Sequence, residues 1–238
     1  FEVGPRDGLQ NEARQIPLTE KVALVDCLSS AGFRRIECAS FVSPRWVPQM
    51  ADSAAVLAGI TRVAGVSYAA LTPNMRGFED AVAAGADEVA IFGSASEGFS
   101  KANINATIAE SLDRFRPVAA AALDRGVPVR GYVSCVVECP YDGQVAPAAV
   151  ARVVAALRDM GCYEVSLGDT IGRATPDGIV DMLTAVLGEM PADRLAGHYH
   201  DTGGLACDNV EASLGLGLRV FDAAVGGLGG CPYAPGAA

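Results

Sequence analysis

Lysine is nearly absent from this chain: Lys21 and Lys101 are the only two in 238 residues, so a local site for an anion must draw its charge mainly from arginine. Positive charge is short overall. Eighteen Lys plus Arg stand against 28 Asp plus Glu, a net charge of −10, and a field of that sign repels phosphate backbones and anionic lipid surfaces. Nucleic acid is therefore disfavoured as a partner. Long apolar runs are also missing: Val63–Met75 is well short of the roughly 18 residues a bilayer span needs, and Ala223–Ala238 is broken by Gly and Pro, so no membrane span is expected. No basic stretch leading into an apolar one precedes the first motif, so no targeting signal is readable. Seven cysteines, an odd number, lie in apolar or strand-like surroundings (Cys27, Cys38, Cys135, Cys139, Cys162, Cys207, Cys231). They do not resemble a small secreted disulfide framework, and a reducing compartment fits best.

What the chain does have is apolar residues, 50% against 19% charged, and that balance describes a globular protein. Strand signals fall near Phe1–Val3, Arg35–Ala39, Val66–Leu71, Glu88–Phe92, Val129–Val136, Glu164–Leu167, Leu195–His200 and Val220–Ala224. Between them the patterning predicts helices over Leu18–Ala31, Ala51–Leu57, Met75–Ala84, Asn105–Arg125, Pro147–Met160, Pro176–Glu189 and Cys207–Leu216. Gly32, Gly85, Gly126 and Gly161 sit where left-handed caps would end helices, and Pro147 and Pro176 suit first-turn positions. The alternation runs from 1 to 238 without a linker, so one α/β domain is expected: a (β/α)₈ TIM barrel, with a doubly wound open sheet as runner-up. The chain starts inside its first strand and lacks the last helix, so both ends are expected to have lost residues.

In such a barrel the chemistry sits at the C-terminal ends of the strands. There the sequence places Arg6-Asp7, Glu37, Asp169-Thr170 and His198-Tyr199-His200. His198 and His200, the only two histidines, are two apart on a strand and point to one face, as two ligands of one ion must, although a satisfied core pair would show the same spacing. Asp7, flanking the same mouth, makes a carboxylate and two imidazoles, a set that suits Mg²⁺, Mn²⁺, Co²⁺ or Zn²⁺ and, lacking a thiolate, favours a harder, octahedral ion. Arg6 could stabilise an oxyanion formed as a carbon–carbon bond breaks, or simply pair with Glu37 or Asp169. Those two carboxylates could take part in the chemistry or only orient Arg6 and the metal ligands. After the eighth strand, Gly226-Gly227-Leu228-Gly229-Gly230-Cys231-Pro232-Tyr233-Ala234-Pro235-Gly236 reads as a glycine-rich mobile lid with one thiol, reactive or merely a small apolar filler. Cys135 and Cys139 have no second pair to make a metal site.

Assembled, these segments resemble the 3-hydroxy-3-methylglutaryl-CoA lyases over nearly the whole chain. The resemblance is carried by Glu2-Val3-Gly4-Pro5-Arg6-Asp7-Gly8-Leu9-Gln10-Asn11-Glu12, Ser40-Phe41-Val42-Ser43-Pro44, Val129-Arg130-Gly131-Tyr132-Val133-Ser134, Ser166-Leu167-Gly168-Asp169-Thr170, His198-Tyr199-His200-Asp201-Thr202 and Gly227-Leu228-Gly229-Gly230-Cys231-Pro232-Tyr233. It implies cleavage of 3-hydroxy-3-methylglutaryl-CoA to acetoacetate and acetyl-CoA, with Mg²⁺ or Mn²⁺ on Asp7, His198 and His200. It further implies that Arg6 steadies the enolate oxygen, that Cys231 is the lid thiol, and that Glu37 and Asp169 are active-site carboxylates. Gln10, Ser40, Asn103, Arg130 and Tyr132, together with Arg6, match substrate-binding positions. An acyl-CoA partner and a homodimer are expected, in a bacterial cytoplasm or, for a eukaryotic chain, the mitochondrial matrix. A Claisen-condensing or aldol enzyme of the same group, and a non-catalytic acyl-CoA-binding barrel, are the alternatives. Three departures stand out: the family's fourth ligand, an Asn after the lid motif, would lie beyond Ala238; Gly203-Gly204 replaces an aromatic-Gly pair after Asp201-Thr202; and Ala224-Val225-Gly226 replaces the usual run before the lid.

Overall fold

Seven parallel strands in the order β1-β2-β3-β4-β7-β8-β9 wrap into a barrel wall in the computed structural model, which describes residues 1–230. They are β1 (Arg35–Ser40), β2 (Ser67–Leu71), β3 (Glu88–Ser94), β4 (Val129–Ser134), β7 (Glu164–Asp169), β8 (Leu195–Tyr199) and β9 (Val220–Phe221). The wall is closed by the expected first strand, reduced to one residue: Glu2 bridges Ile36 on one side and Ala223 on the other, both in parallel. Beyond Val3 the backbone does not stay extended. The amides of Arg6, Asp7 and Gly8 all turn back to the Val3 carbonyl, winding Gly4–Gly8 into a π-helical turn.

Side chains alternate across this wall as the pleat requires. On β4, Val129 and Val133 join the apolar layer beneath the helices, whereas Arg130 and Tyr132 belong to the opposite set. The same alternation puts Val165 and Leu167 of β7 in that layer and leaves Glu164 and Ser166 on the opposite face. The outer layer is sealed by α1 (Leu18–Ser30), α2 (Ser53–Gly59), α3 (Met75–Ala83), α4 (Glu97–Ile104), α5 (Ile108–Asp124), α6 (Pro147–Asp159), α7 (Pro176–Val186) and α8 (Ala206–Gly215). Gly32, Gly85, Gly126 and Gly161 all take positive φ just after helices, and Pro147 and Pro176 open theirs.

Several elements differ from the sequence expectation. The helix anticipated from Asn105 begins at Ile108, because Thr107 and Glu110 form a reciprocal capping box, and the left-handed Asn105 ends a separate helix, α4, that apolar periodicity had not marked. A small hairpin, β5 (Glu138–Cys139) with β6 (Gly143–Gln144), follows β4, which stops at Ser134 because Cys135 adopts φ +60°. The final strand is also shorter than Val220–Ala224, and among the described residues only a 3₁₀ turn at Val225–Gly227 follows it.

The layer under α5 sets a stability expectation. Phe115 is fully buried with its ring 5.1 Å from that of Phe92. Phe115→Ala is expected to lower unfolding free energy by about 3–5 kcal/mol, read from urea denaturation, because a close-packed layer relaxes only partly around the cavity.

Candidate active site

The turn after Glu2 delivers two oppositely charged side chains to the barrel mouth. Arg6, 6% exposed, donates from Nε to Glu37 Oε2 at 2.6 Å and from Nη1 to Asp7 Oδ1 at 2.6 Å, while its Nη2 lies 2.5 Å from Glu37 Oε2. Its guanidinium carbon lies 5.8 Å from the centre of the Tyr132 ring. The sequence left open whether Arg6 is an ion-pair partner or an electrophile; the geometry gives it the pair, and its remaining N–H groups stay available. Gln10 Nε2 donates to Asp7 Oδ1 at 2.8 Å, and Asn11 Nδ2 donates to the carbonyls of Asp7 and Gly230, tying the turn to the glycine segment.

From the far side of the seam, β8 brings in the histidines. His198 Nε2 stands 3.4 Å from Asp7 Oδ2, and one ligand atom each from Asp7, His198 and His200 lies within 4.8 Å of the others. Ligands bonded at about 2.1 Å to a single ion are separated by roughly 3–4 Å, so one carboxylate oxygen and two imidazole nitrogens at this spacing fit a divalent cation. Burial would raise the Asp7 carboxyl, but Arg6, then His198 and His200, hold it well below the usual carboxylate range. It is therefore an anion, as a ligand must be. Burial would lower His198, yet its bonds to Asp222 and Asp7 raise it to about 10.

Glu37 differs. It is wholly buried, and that burial pushes its pKa up against the opposing Arg6 charge, with Asp7 adding repulsion. Its Oε1 finds no hydrogen-bond partner among the described residues, and neither does the buried Ser40 Oγ. Two orphaned acceptors on one strand are expensive unless a ligand or water meets them.

The remaining expected site residues have these surroundings. The Asp169 carboxylate accepts from the backbone amides of Arg173 and Ala174 and shapes the loop after β7. Burial raises its pKa against those amide bonds. Arg130 is 1% exposed, with its fork on Glu164 (2.7 Å), the Tyr132 hydroxyl (2.8 Å) and Asp222 (3.1 and 2.7 Å). Asn103 lies exposed on α4. Cys231 is outside the described residues. Asp222, directly after β9, was not anticipated; its signal was a lone acid at an inward register position after Val220 in an apolar strand.

A parallel barrel carrying an Arg–carboxylate cluster and three residues that could hold a divalent cation at its C-terminal mouth has the form of a barrel enzyme of the metal-assisted kind. Its relationships narrow this. The chain matches the HMGL-like family model over residues 1–234 and belongs to that family. It is 59% identical over 236 residues to the mitochondrial hydroxymethylglutaryl-CoA lyase of Bos taurus, covering 99% of this chain and 73% of that one. It is equally 59% identical to a Pseudomonas aeruginosa protein named 3-hydroxy-3-isohexenylglutaryl-CoA/hydroxy-methylglutaryl-CoA lyase, covering 99% of this chain and 79% of the relative. Among solved structures, the HMG-CoA lyase of Brucella melitensis superposes with a TM-score of 0.97 at 64% identity, over 99% of this chain and 84% of the other. A lyase from Acinetobacter baumannii, solved with coenzyme A and 3-methylmalate, gives 0.95 at 39% identity, over 100% and 77%.

Proposed function

We propose that this chain cleaves 3-hydroxy-3-methylglutaryl-CoA to acetoacetate and acetyl-CoA. The observation that supports the reading is the Glu37–Arg6–Asp7 cluster beside the histidine pair: a buried carboxylate, a guanidinium fixed by two carboxylates and a group of residues that could hold a metal ion. A divalent ion on Asp7, His198 and His200, Mg²⁺ or Mn²⁺, would supply Lewis acidity toward the substrate's hydroxyl and carboxylate oxygens. Glu37, with Oε1 unpartnered and its pKa raised, takes the proton of the tertiary hydroxyl. The oxygen's electron pair forms the new ketone as the carbon–carbon bond breaks, and that bond's electrons pass to the thioester enolate. Arg6, already held in orientation by two carboxylates, donates to the enolate oxygen. A proton then returns to the enolate carbon to make the acetyl group, and Cys231 of the glycine segment is assigned as its donor.

The assay is release of acetoacetate and acetyl-CoA in equal amounts from 3-hydroxy-3-methylglutaryl-CoA with Mg²⁺ or Mn²⁺ present. Acyl-CoA binding without release would favour the binding-barrel reading instead. A pH dependence follows from Glu37: as a base with a raised pKa it is lost on acidification, so kcat/KM is expected to fall on an acid limb whose midpoint lies above the ordinary glutamate value of 4.5. In Glu37→Gln that limb should vanish and the rate should fall by about 10²–10⁴-fold, the usual worth of a general base. A limb of unchanged midpoint in the variant would assign the base elsewhere.

A further inference from the structure

Beneath the proposed metal ligands lies a polar assembly that the reaction above does not use, and the inference drawn from it rests on the ligand set Asp7, His198 and His200. Its centre is Asp222, whose side chain is wholly buried. Oδ2 accepts from the Ser166 hydroxyl at 2.7 Å and from Arg130 Nη1 at 3.1 Å, and it lies 3.0 Å from His198 Nδ1. Oδ1 accepts from Arg130 Nη2 at 2.7 Å. Four donors converge on this one carboxylate, three of them on Oδ2.

The partners determine what His198 can do. Arg130 and Ser166 already donate to Asp222, and a buried carboxylate gripped at both oxygens by a guanidinium is an acceptor only. The ring nitrogen facing it must carry the proton. In the neutral imidazole that a ligand has to be, Nε2 is then the free lone pair, and Nε2 is the atom that faces Asp7 Oδ2 at 3.4 Å. Arg130 is itself pinned by Glu164 on the neighbouring strand, so the carboxylate it grips cannot swing.

We infer that Asp222 is a positioning residue for the metal centre: it fixes His198 as the Nδ1–H tautomer with Nε2 presented to the ion, while Arg130 and Ser166 hold Asp222 on aim. Arg130, a substrate contact by resemblance, acts in this arrangement two bonds below the ligands. A plain structural salt bridge would need only Arg130 and Asp222. The added bonds to Ser166 and His198 are what tie the pair to the site.

The test is Mn²⁺ titration of the full chain, free Mn²⁺ being counted by electron paramagnetic resonance, in wild type and Asp222→Asn. The variant offers one carbonyl oxygen to four donors, so its Kd for Mn²⁺ is expected to rise by about 10- to 100-fold, the usual cost of losing such a partner. A rise below tenfold overturns the inference. A second measurement needs no variant: in the Zn²⁺-loaded wild type, nitrogen-15 NMR of the imidazoles should show His198 protonated at Nδ1 and metal-bound at Nε2. The opposite tautomer overturns the inference even if Asp222→Asn fails to fold. Wild type that binds no Mn²⁺ would overturn the ligand set itself, a failure distinct from unchanged affinity in the variant.

Discussion

Replacing Arg6 by Met is expected to cut acetoacetate release by about 10²–10³-fold or more, the loss seen when one preorganised donor to a developing oxyanion is removed. The loss should appear in kcat more than in KM, because the enolate charge exists only beyond the ground state. The same change removes the partner of both Glu37 and Asp7, which are 0% and 18% exposed as side chains. Removing one member of a buried ion pair costs about 3–5 kcal/mol, so thermal unfolding must accompany the kinetics to separate a dead site from an unfolded barrel. Arg6→Lys is the sharper control. It keeps the charge, but a single ammonium cannot reproduce a fork that reaches Glu37 through Nε and Nη2 and Asp7 through Nη1, so only a small part of the rate should return. Full activity in Arg6→Lys would mean that charge alone, not orientation, is required.

The second large effect is removal of the divalent ion. With excess EDTA, turnover is expected to fall by about 10³-fold or more, since Lewis-acid stabilisation of transition-state charge is worth several kcal/mol and each 1.4 kcal/mol is tenfold in rate. Activity should return when Mg²⁺ or Mn²⁺ is added back. Asp7→Ala should not be rescued at ion concentrations that saturate the wild type, because it removes the only carboxylate of the three-residue cluster. Its two imidazoles alone form a poor site for a hard cation that prefers oxygen. Chelator-resistant turnover would reject a metal-assisted reaction in this mouth.

The proximity of these three residues was visible in the sequence because candidate ligands of one ion must share a face. His198 and His200 could do so only at an even spacing on a strand, and Asp7 only if the chain closed into a barrel. Helix ends were legible for a similar local reason: Gly126 and Gly161 take φ +67° and +95°, angles that other residues avoid. What was not legible depends on partners distant in sequence. Nothing beside Asp169 in the sequence says that the turn after β7 supplies amides to its carboxylate. Arg130 carries the right charge at an inward position, but whether an inward arginine meets substrate or a buried acid depends on Asp222, 92 residues away. The start of α5 was misplaced because a capping box fixes it, not the apolar period.

The closing bridge at Glu2 gives the molecule an order of events. Its side chain accepts from the Val225 amide, and its backbone neighbours pair with Ala223, contacts between residues more than 200 positions apart. Such contacts carry the largest loop-closure cost and form after local ones. Asp7 and His198 stand on opposite sides of that same seam. With Asp7, His198 and His200 as ligands, the site would exist only once the hoop is shut, so metal affinity would report on whether the ring has closed, and a bound ion would hold the first and eighth turns of the wall together.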